Sequence, residues 1–202
     1  MSEDDSRKVK ASHVWARDGL DWYVEPIEAT HALLRVERFV GTTLDPSCGR
    51  GNIVGAFADA GRDVFGSDIK RRVPEGTPWF LGEADFLSMT AVRQQNICMN
   101  PPFFKAKGAE AFIRHALSLV PGKVAAFVDI KFLAGSKRAN GIYREQPPHR
   151  VWIITPRPSC PPGEYLEAGN KAEGGTADWC WLVWDNASPR HATTTDWLRS
   201  EL

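Results

Sequence analysis

An asparagine followed by two prolines and an aromatic ring, Asn100-Pro101-Pro102-Phe103, is the stretch of the chain best suited to chemistry. It closes an apolar run, residues 97–99, which predicts a buried strand, and open α/β folds bind ligands at the carboxyl ends of their strands. The prolines stiffen the turn and remove two N–H donors, which leaves carbonyl groups free to accept. The result is an acceptor pair, the Asn100 side-chain oxygen and the Pro101 carbonyl, beside the Phe103 ring.

That arrangement suits a planar amino or amide group that donates two hydrogen bonds while its nitrogen attacks an electrophile. The alternative is a proline-rich loop that merely ends a core strand. The four residues alone leave both interpretations open, so the choice depends on the rest of the chain.

A glycine-rich turn lies upstream, where a predicted strand over residues 42–46 meets a helix over residues 53–60. Its pattern is Asp45-Pro46-x-Cys48-Gly49-x-Gly51. Glycines in such a turn let the backbone approach a ligand and aim helix N–H groups at it. The dinucleotide fingerprint requires a third glycine where Val54 stands, and no Lys-Ser or Lys-Thr pair follows, so neither that fingerprint nor a P-loop is present.

Acidic side chains follow the next two predicted strands. Asp68 closes the strand over residues 64–69, and Asp85 follows a weaker strand over residues 79–81. Asp68 can accept hydrogen bonds from the hydroxyls of a ribose, Asp85 can accept from an adenine amino group, and Ile69 and Phe86 could sandwich the ring. Each aspartate alone is more often a helix cap or a turn residue. The glycine turn, Asp68 and Asp85 follow three successive predicted strands, and that order rarely arises by chance.

Bulk properties narrow the class of protein. The chain has 202 residues, a formal net charge of +0 and a pI of about 7.0, so overall charge gives no argument for nucleic acid. The four cysteines show no C-x-x-C pair and no histidine spacing typical of zinc, and we expect no metal site. The sequence shows neither an apolar run of membrane length nor a signal peptide, so the expected location is cytoplasmic.

Apolar periodicity predicts strands that alternate with helices through much of the chain. We expect a flexible tail over residues 1–12 and one α/β domain over residues 13–202, with a seven-stranded, mostly parallel sheet and helices on both faces. An amphipathic helix over residues 27–40 precedes the first strand. The remaining predicted strands are residues 97–99, 123–130, 150–155 and 179–184. Residues 156–178, rich in Pro and Gly, are expected to form either a substrate loop or a disordered one.

Together these motifs resemble those of the class I S-adenosylmethionine-dependent methyltransferases. The segments that carry the resemblance are DPSCGRG, GSDI, EADF and NPPF, which begin at residues 45, 66, 83 and 100. The NPPF turn is similar to that of amino-methyltransferases, chiefly the DNA adenine-N6 enzymes, and the whole pattern looks most like the small enzymes of bacteriophages and prophages. The YVEP segment at residues 23–26 resembles the N-terminal motif that closes over the methionine end of the cofactor.

The resemblance implies a Rossmann-like fold whose last strand runs antiparallel between its neighbours. It also implies S-adenosyl-L-methionine as cofactor, methyl transfer to an exocyclic amino nitrogen, chiefly N6 of adenine in DNA, and a location in the cytoplasm of a bacterium or phage-infected host. The candidate catalytic residues are Asn100, Pro101, Pro102 and Phe103. The candidate cofactor-binding residues are Tyr23, Glu25, Asp45, Pro46, Cys48, Gly49, Gly51, Asp68, Ile69, Asp85 and Phe86.

Contacts to DNA are predicted from basic residues that follow strand ends and from the long loop. The basic residues are Lys70, Arg71, Arg72, Lys105, Lys107, Lys131, Lys137 and Arg138. They could ring one face of the protein, or they could be ordinary solvated side chains. The loop candidates are Arg157, Tyr165, Asn170 and Lys171. The chain offers no extra recognition domain, so we expect a short or relaxed target site.

Other substrates and a non-enzymatic role stay open. By resemblance, the same turn occurs in methyltransferases that act on guanine-N2 of ribosomal RNA and on glutamine amides of release factors, which usually carry an additional substrate domain. A chain of this kind could also be a cofactor-holding partner subunit without catalysis. The presence of both Asp68 and Asn100 argues against that role, because a site without catalytic activity need not retain both residues.

Overall fold

The computed structural model describes residues 21–104, 107–172, 174–175, 177–188 and 192–200. The flexible tail expected over residues 1–12 and the basic residue Lys105 lie outside these ranges. Within them, no helix combines the length and the apolar character that a membrane crossing needs.

Helices and strands alternate along most of the chain, as the apolar pattern predicts. The strands are β1 (Thr43–Asp45), β2 (Val64–Asp68), β3 (Phe80–Glu83), β4 (Asn96–Met99), β5 (Lys123–Asp129), β6 (Arg150–Thr155), β7 (Trp179–Asp185) and β8 (Thr194–Arg199). The helices are α1 (Ile27–Val36), α2 (Asn52–Asp59), α3 (Lys107–Leu119), α4 (Ser136–Asn140), α5 (Ile142–Glu145) and α6 (Gly163–Glu167). Short 3-10 turns follow β3 and β5, at Phe86–Ser88 and Ile130–Ala134.

One mixed sheet runs in the order β3-β2-β1-β4-β5-β7-β6-β8. Neighbouring strands from β3 to β5 are parallel, whereas β7 is antiparallel to both β5 and β6, so the predicted α/β class and antiparallel strand are confirmed. The sheet has eight strands rather than the predicted seven, because β8 pairs in parallel with β6. Leu198 is the only buried residue of β8, so this strand lacks the apolar alternation from which strands are predicted.

Helix α1 ends at Val36, earlier than the sequence predicts. Glu37 is extended, and its carboxylate accepts a hydrogen bond from the Lys123 ammonium group. Phe39 then packs edge-on against Phe57 with 5.1 Å between ring centroids. These tertiary contacts draw the chain into the core at a point where its apolar period alone would continue the helix.

Strand β4 lies near the middle of the sheet, and all four of its residues are buried. Ile97 and Met99 pack on one face with side chains of α3, whereas Cys98 packs on the opposite face with side chains of α1 and α2. A one-residue slip in register would move each of these side chains to the wrong face. The two helical layers therefore fix where β4 ends, and with it the position of Asn100.

The amino end of β4 is fixed by the buried amide of Asn96. Its Nδ2 donates to the carbonyl oxygens of Val40 at 2.9 Å and Thr42 at 3.2 Å, and its Oδ1 accepts from the Lys123 backbone amide at 2.8 Å. One side chain thus satisfies backbone groups that lead into β1 and open β5. These hydrogen bonds fix the position of β4 along its neighbours β1 and β5.

We expect Asn96→Ala to lower the free energy of unfolding by about 2–4 kcal/mol, because it removes the three hydrogen bonds that the buried Asn96 amide makes with backbone groups of neighbouring segments. Urea denaturation followed by circular dichroism measures the loss. Asn140→Ala is the matched control: its amide is exposed and donates to the Ser136 carbonyl within its own helix, so a change within about 0.5 kcal/mol is expected. Equal losses in the two variants would contradict this role of Asn96.

Candidate functional site

A cleft opens at the carboxyl ends of β1, β2 and β4, where the strand order reverses direction. Parallel α/β sheets bind ligands at such a switch point. The cleft is lined by residues 21–25, 46–50, 52, 68–69, 72, 84–87, 100–104, 112 and 179. All four predicted catalytic residues belong to this lining, whereas Asp45 and Gly51 are buried outside it.

The segment before α1 borders the cleft and is tied to the long loop after β6. Tyr23 forms an antiparallel bridge with Pro162, and the Gly163 amide donates to the Trp22 carbonyl at 2.9 Å. A Cβ on Gly163 would lie 2.2 Å from the Trp22 ring, so only glycine fits there. Part of the loop predicted to contact substrate therefore holds this segment in place.

The glycine turn brings backbone atoms to the cleft wall. Gly49 and Gly51 have φ angles of 50° and 88°, in the left-handed region that favours glycine. A Cβ on Gly49 would lie 2.7 Å from Trp22 Nε1, and one on Gly51 would lie 2.6 Å from the Trp79 ring. The turn is this compact because both positions lack side chains.

Asp68, at the end of β2, has a carboxylate that is already engaged. Its Oδ2 accepts from the Gly49 amide at 2.8 Å, and its Oδ1 accepts from the Lys70 amide at 3.1 Å and from Arg72 Nη1 at 2.6 Å. The Arg72 guanidinium lies 4.3 Å from the centre of the Trp22 ring. Sequence reasoning grouped Arg72 with possible phosphate contacts, whereas the structure buries it in the cleft wall as the partner of Asp68.

The residues predicted around an adenine ring differ in exposure. Ile69 is 59% exposed, whereas Phe86 is buried and its ring packs against Phe112 with 5.1 Å between centroids. Asp85 caps the turn after β3, and its Oδ1 accepts from the Leu87 amide at 3.0 Å. Ile69 and Leu87, rather than Ile69 and Phe86, are the exposed apolar side chains at this part of the cleft.

The Asn100 side chain is held through its amide nitrogen. Nδ2 donates to the Tyr23 carbonyl at 2.9 Å and to Glu25 Oε2 at 2.8 Å. The Ser47 hydroxyl donates to the Asn100 backbone carbonyl at 3.0 Å, which fixes the main chain as well. Because both amide hydrogens are used, the group that Asn100 offers to a ligand is its oxygen Oδ1. Sequence reasoning placed Tyr23 and Glu25 near the cofactor and missed this contact.

Two buried carboxyl groups lie near this amide. Burial raises the pKa of Glu25 to about 7, and the hydrogen bond from Asn100 opposes the rise. Burial also raises the pKa of Asp45 well above its usual value, with a further contribution from the charge of Glu25. Burial likewise raises the pKa of the Cys48 thiol, which disfavours the nucleophilic thiolate. No group of three or more potential metal ligands occurs among the described residues.

Aromatic rings flank the turn that carries Asn100. Phe103 meets Trp179 edge-on at 6.1 Å and Phe132 edge-on at 6.3 Å between centroids. Trp179 in turn stacks on Phe127 at 4.8 Å with an interplanar angle of 5°. Sequence reasoning missed Trp179 as a site residue because it opens an apolar strand and resembles a core residue.

The predicted basic residues fall into two groups. Those that are exposed are Lys70, Arg71, Lys107, Lys131 and Lys137. Arg138 instead donates to the Phe132 carbonyl at 2.7 Å, and Arg157 pairs with Asp178 at 2.7 Å. The exposed group is therefore available for phosphate contact, whereas Arg138 is committed to the fold.

The raised pKa of Glu25 predicts that its charge costs stability. Folded Glu25 keeps its proton up to about pH 7, whereas unfolded Glu25 loses it near pH 4.5, so its contribution to stability falls as pH rises between these values. Between about pH 4 and about pH 8, the stability of Glu25→Gln relative to wild type is expected to increase by on the order of 3 kcal/mol. Urea denaturation at both pH values measures this; a pH-independent difference would contradict the raised pKa.

No protein-family model matches the chain, and no curated protein is significantly similar to it. Solved structures do match. The M protein of the type I restriction enzyme EcoKI has a TM-score of 0.59 at 13% identity, over 89% of this chain and 49% of that one. A candidate hemolysin from Lactococcus lactis has a TM-score of 0.57 at 12% identity, over 86% and 94%. A candidate RNA methyltransferase from Pyrococcus horikoshii has a TM-score of 0.52 at 16% identity, over 77% and 79%.

At these identities the likeness shows the fold and not the activity. This chain spans about half the length of the type I M protein. The aligned structures and the strand order, with β7 antiparallel between β5 and β6, agree on one architecture. The chain therefore has the Rossmann-like fold of the class I methyltransferases.

Proposed function

We propose that residues 13–202 form an S-adenosyl-L-methionine-dependent methyltransferase that acts on an exocyclic amino nitrogen, with N6 of adenine in DNA as the target. The observation that carries the proposal is the orientation of Asn100, whose NH2 group is held by Tyr23 and Glu25 so that its oxygen is offered in the cleft. The fold supports the same class of enzyme. The choice of DNA adenine follows from the resemblance of the NPPF turn.

The cleft residues fit the proposed cofactor. Exposed Ile69 and Leu87 suit an adenine ring, and Asp68 suits ribose hydroxyls. A carboxylate can accept about four hydrogen bonds, and Asp68 already accepts three. It can therefore accept one hydrogen bond from a ribose hydroxyl as it stands, and a second would require Arg72 to move away. The glycine turn at Gly49 and the segment over residues 23–25 would hold the methionine end. The bound cofactor supplies an electrophilic methyl group on a sulfonium.

The Asn100 oxygen and the Pro101 carbonyl would act on the amino group that receives the methyl. An aromatic amino group is a poor nucleophile because its lone pair is delocalised into the ring. Two oxygens that accept hydrogen bonds from its N–H groups direct the lone pair away from the ring. They also stabilise the positive charge that develops on nitrogen. This is preorganised electrostatics, and it requires no strong general base.

A base must leave the duplex to reach this turn, at a cost of a few kcal/mol. The Phe103 ring, braced edge-on by Trp179, would stack on the rotated base and offset part of that cost. The outer part of the loop after α6, with exposed Asn170 and Lys171, is proposed to contact the target strand.

Transfer of a tritiated methyl group tests the proposed function. The substrates are duplex DNA, single-stranded DNA, ribosomal RNA and a glutamine peptide, followed by digestion of labelled nucleic acid to nucleosides. We expect label in N6-methyladenine from DNA. Label in RNA guanine or in the peptide would support an amino-methyltransferase but would contradict DNA adenine as its target. Cofactor binding without any transfer would instead indicate a partner subunit.

Asn100→Ala is expected to lower kcat by about 100-fold or more while cofactor affinity largely survives, because Asn100 faces the amino group. Single-turnover methylation measures the first quantity and isothermal titration calorimetry the second. Asn140→Ala, an exposed asparagine far along the chain, is the control and should retain both. Turnover of the Asn100 variant within about tenfold of wild type would remove Asn100 from the mechanism.

Exposed lysines after strand ends are proposed to contact phosphates. Combining Lys70→Gln with Lys131→Gln should reduce the slope of log Kd against log salt concentration by about two, since each phosphate contact contributes about one. The matched control combines Arg62→Gln with Arg93→Gln, which are exposed before β2 and β4 at the opposite edge. The idea fails if DNA affinity is indifferent to salt, or if both pairs change the slope equally.

A further inference from the structure

We propose that Glu25 is a positioning residue for Asn100 and that, when ionised, it strengthens the Asn100 oxygen as an acceptor for the amino group that receives the methyl. The inference rests on the proposed function and gives Glu25 a role other than contact with the methionine end of the cofactor. It is carried by the hydrogen bonds around the Asn100 side chain.

Two acceptors meet one end of the Asn100 amide. The Tyr23 carbonyl can only accept, and it lies 2.9 Å from Nδ2, while Glu25 Oε2 lies 2.8 Å from the same nitrogen. With Glu25 ionised, the reversed amide would set Asn100 Oδ1 against both oxygens and lose both hydrogen bonds; with Glu25 protonated, it would still lose the hydrogen bond to the Tyr23 carbonyl. The carbonyl and the carboxylate therefore select the orientation in which Oδ1 is available in the cleft.

Glu25 also affects how strongly that oxygen accepts. A carboxylate that accepts from an amide N–H draws the hydrogen towards itself and leaves more negative charge on the amide oxygen. Glu25 is 7% exposed, so water screens this effect weakly. Hydrogen bonds to an ionised partner are about twice as strong as neutral ones. Ionised Glu25 thus makes Asn100 Oδ1 a better acceptor than protonated Glu25 does.

Glu25 is itself held by neighbouring elements. Asn52, at the start of α2, donates Nδ2 to the Glu25 carbonyl at 2.6 Å, and Pro26 follows as the N-cap of α1. These contacts fix the backbone of Glu25 between the starts of both helices, and from that position its carboxylate reaches Asn100. Glu25 thus connects Asn100 to the starts of α1 and α2.

Several ionisable groups face Glu25. They are Asp45 at the end of β1, Cys98 in β4 and Cys160 in the loop after β6. The Asp68–Arg72 pair lies beyond Asp45, near Cys48. Burial raises the pKa of both thiols and of Asp45, and it raises the pKa of Glu25 to about 7. Because Asp45 and Glu25 are coupled carboxyls, the experiment must follow Glu25 itself.

The first measurement is made without cofactor or substrate. A 13C-carboxyl glutamate label, assigned by comparison with Glu25→Gln, follows the titration of Glu25 by NMR, with an expected midpoint of about 7. Asn100→Ala removes a hydrogen bond that favours the ionised form, so the midpoint should rise. An unchanged midpoint would overturn the coupling between the two side chains, whatever the activity of the enzyme.

The second measurement is the pH profile of single-turnover methylation. The wild-type rate should rise through about pH 7 as Glu25 ionises, whereas Glu25→Gln should show no such rise and should be about tenfold slower at high pH. The control Glu28→Gln, in the first turn of α1, should keep the wild-type profile. A wild-type profile in Glu25→Gln would overturn the inference and leave the proposed function intact. Absence of transfer in the wild type would overturn the function itself, and with it the acceptor role of Asn100.

Discussion

The site depends on one constraint: the Asn100 amide nitrogen is caught between a main-chain carbonyl and a carboxylate. Tyr23 and Glu25 come from the segment before α1, far from Asn100 in sequence, and both accept from Nδ2. An amide in a loose turn could present either end to a ligand. Here only the oxygen is presented, because the nitrogen already has two partners. At Asn100 the cleft therefore offers a hydrogen-bond acceptor and not a donor.

The fold supplies this constraint through contacts at both ends of β4. Asn96 fixes the amino end of the strand by satisfying backbone groups next to β1 and β5, and the two helical layers fix its register. At the carboxyl end, the segment before α1 is bridged to Pro162 and packed against Gly163 through Trp22. The long loop after β6 therefore keeps the two acceptors against Asn100, and in the proposed mechanism it would support catalysis only indirectly.

Much of this architecture could be predicted from the sequence, because local apolar runs and turn residues specify it. The run before Asn100 and the glycine turn are local signals, and the structure places both at the same edge of the sheet. Strand β8 could not be predicted, because it is a polar edge strand with Leu198 as its only buried residue. The end of α1 was predicted too late because tertiary contacts of Phe39 override its helical period.

The finer chemistry of the site lies in contacts between distant residues, which spacing does not reveal. Arg72 looked like one of several surface cations, yet it pairs with Asp68 beneath Trp22. The raised pKa of Glu25 comes from burial, which only the assembled fold provides. A crystal structure with the bound cofactor would show where the methyl donor lies relative to Asn100. We expect the sulfonium methyl opposite Asn100 Oδ1, with Nδ2 still between Tyr23 and Glu25. A cofactor bound elsewhere, or an Asn100 oxygen turned away from it, would rule out the proposed role of Asn100.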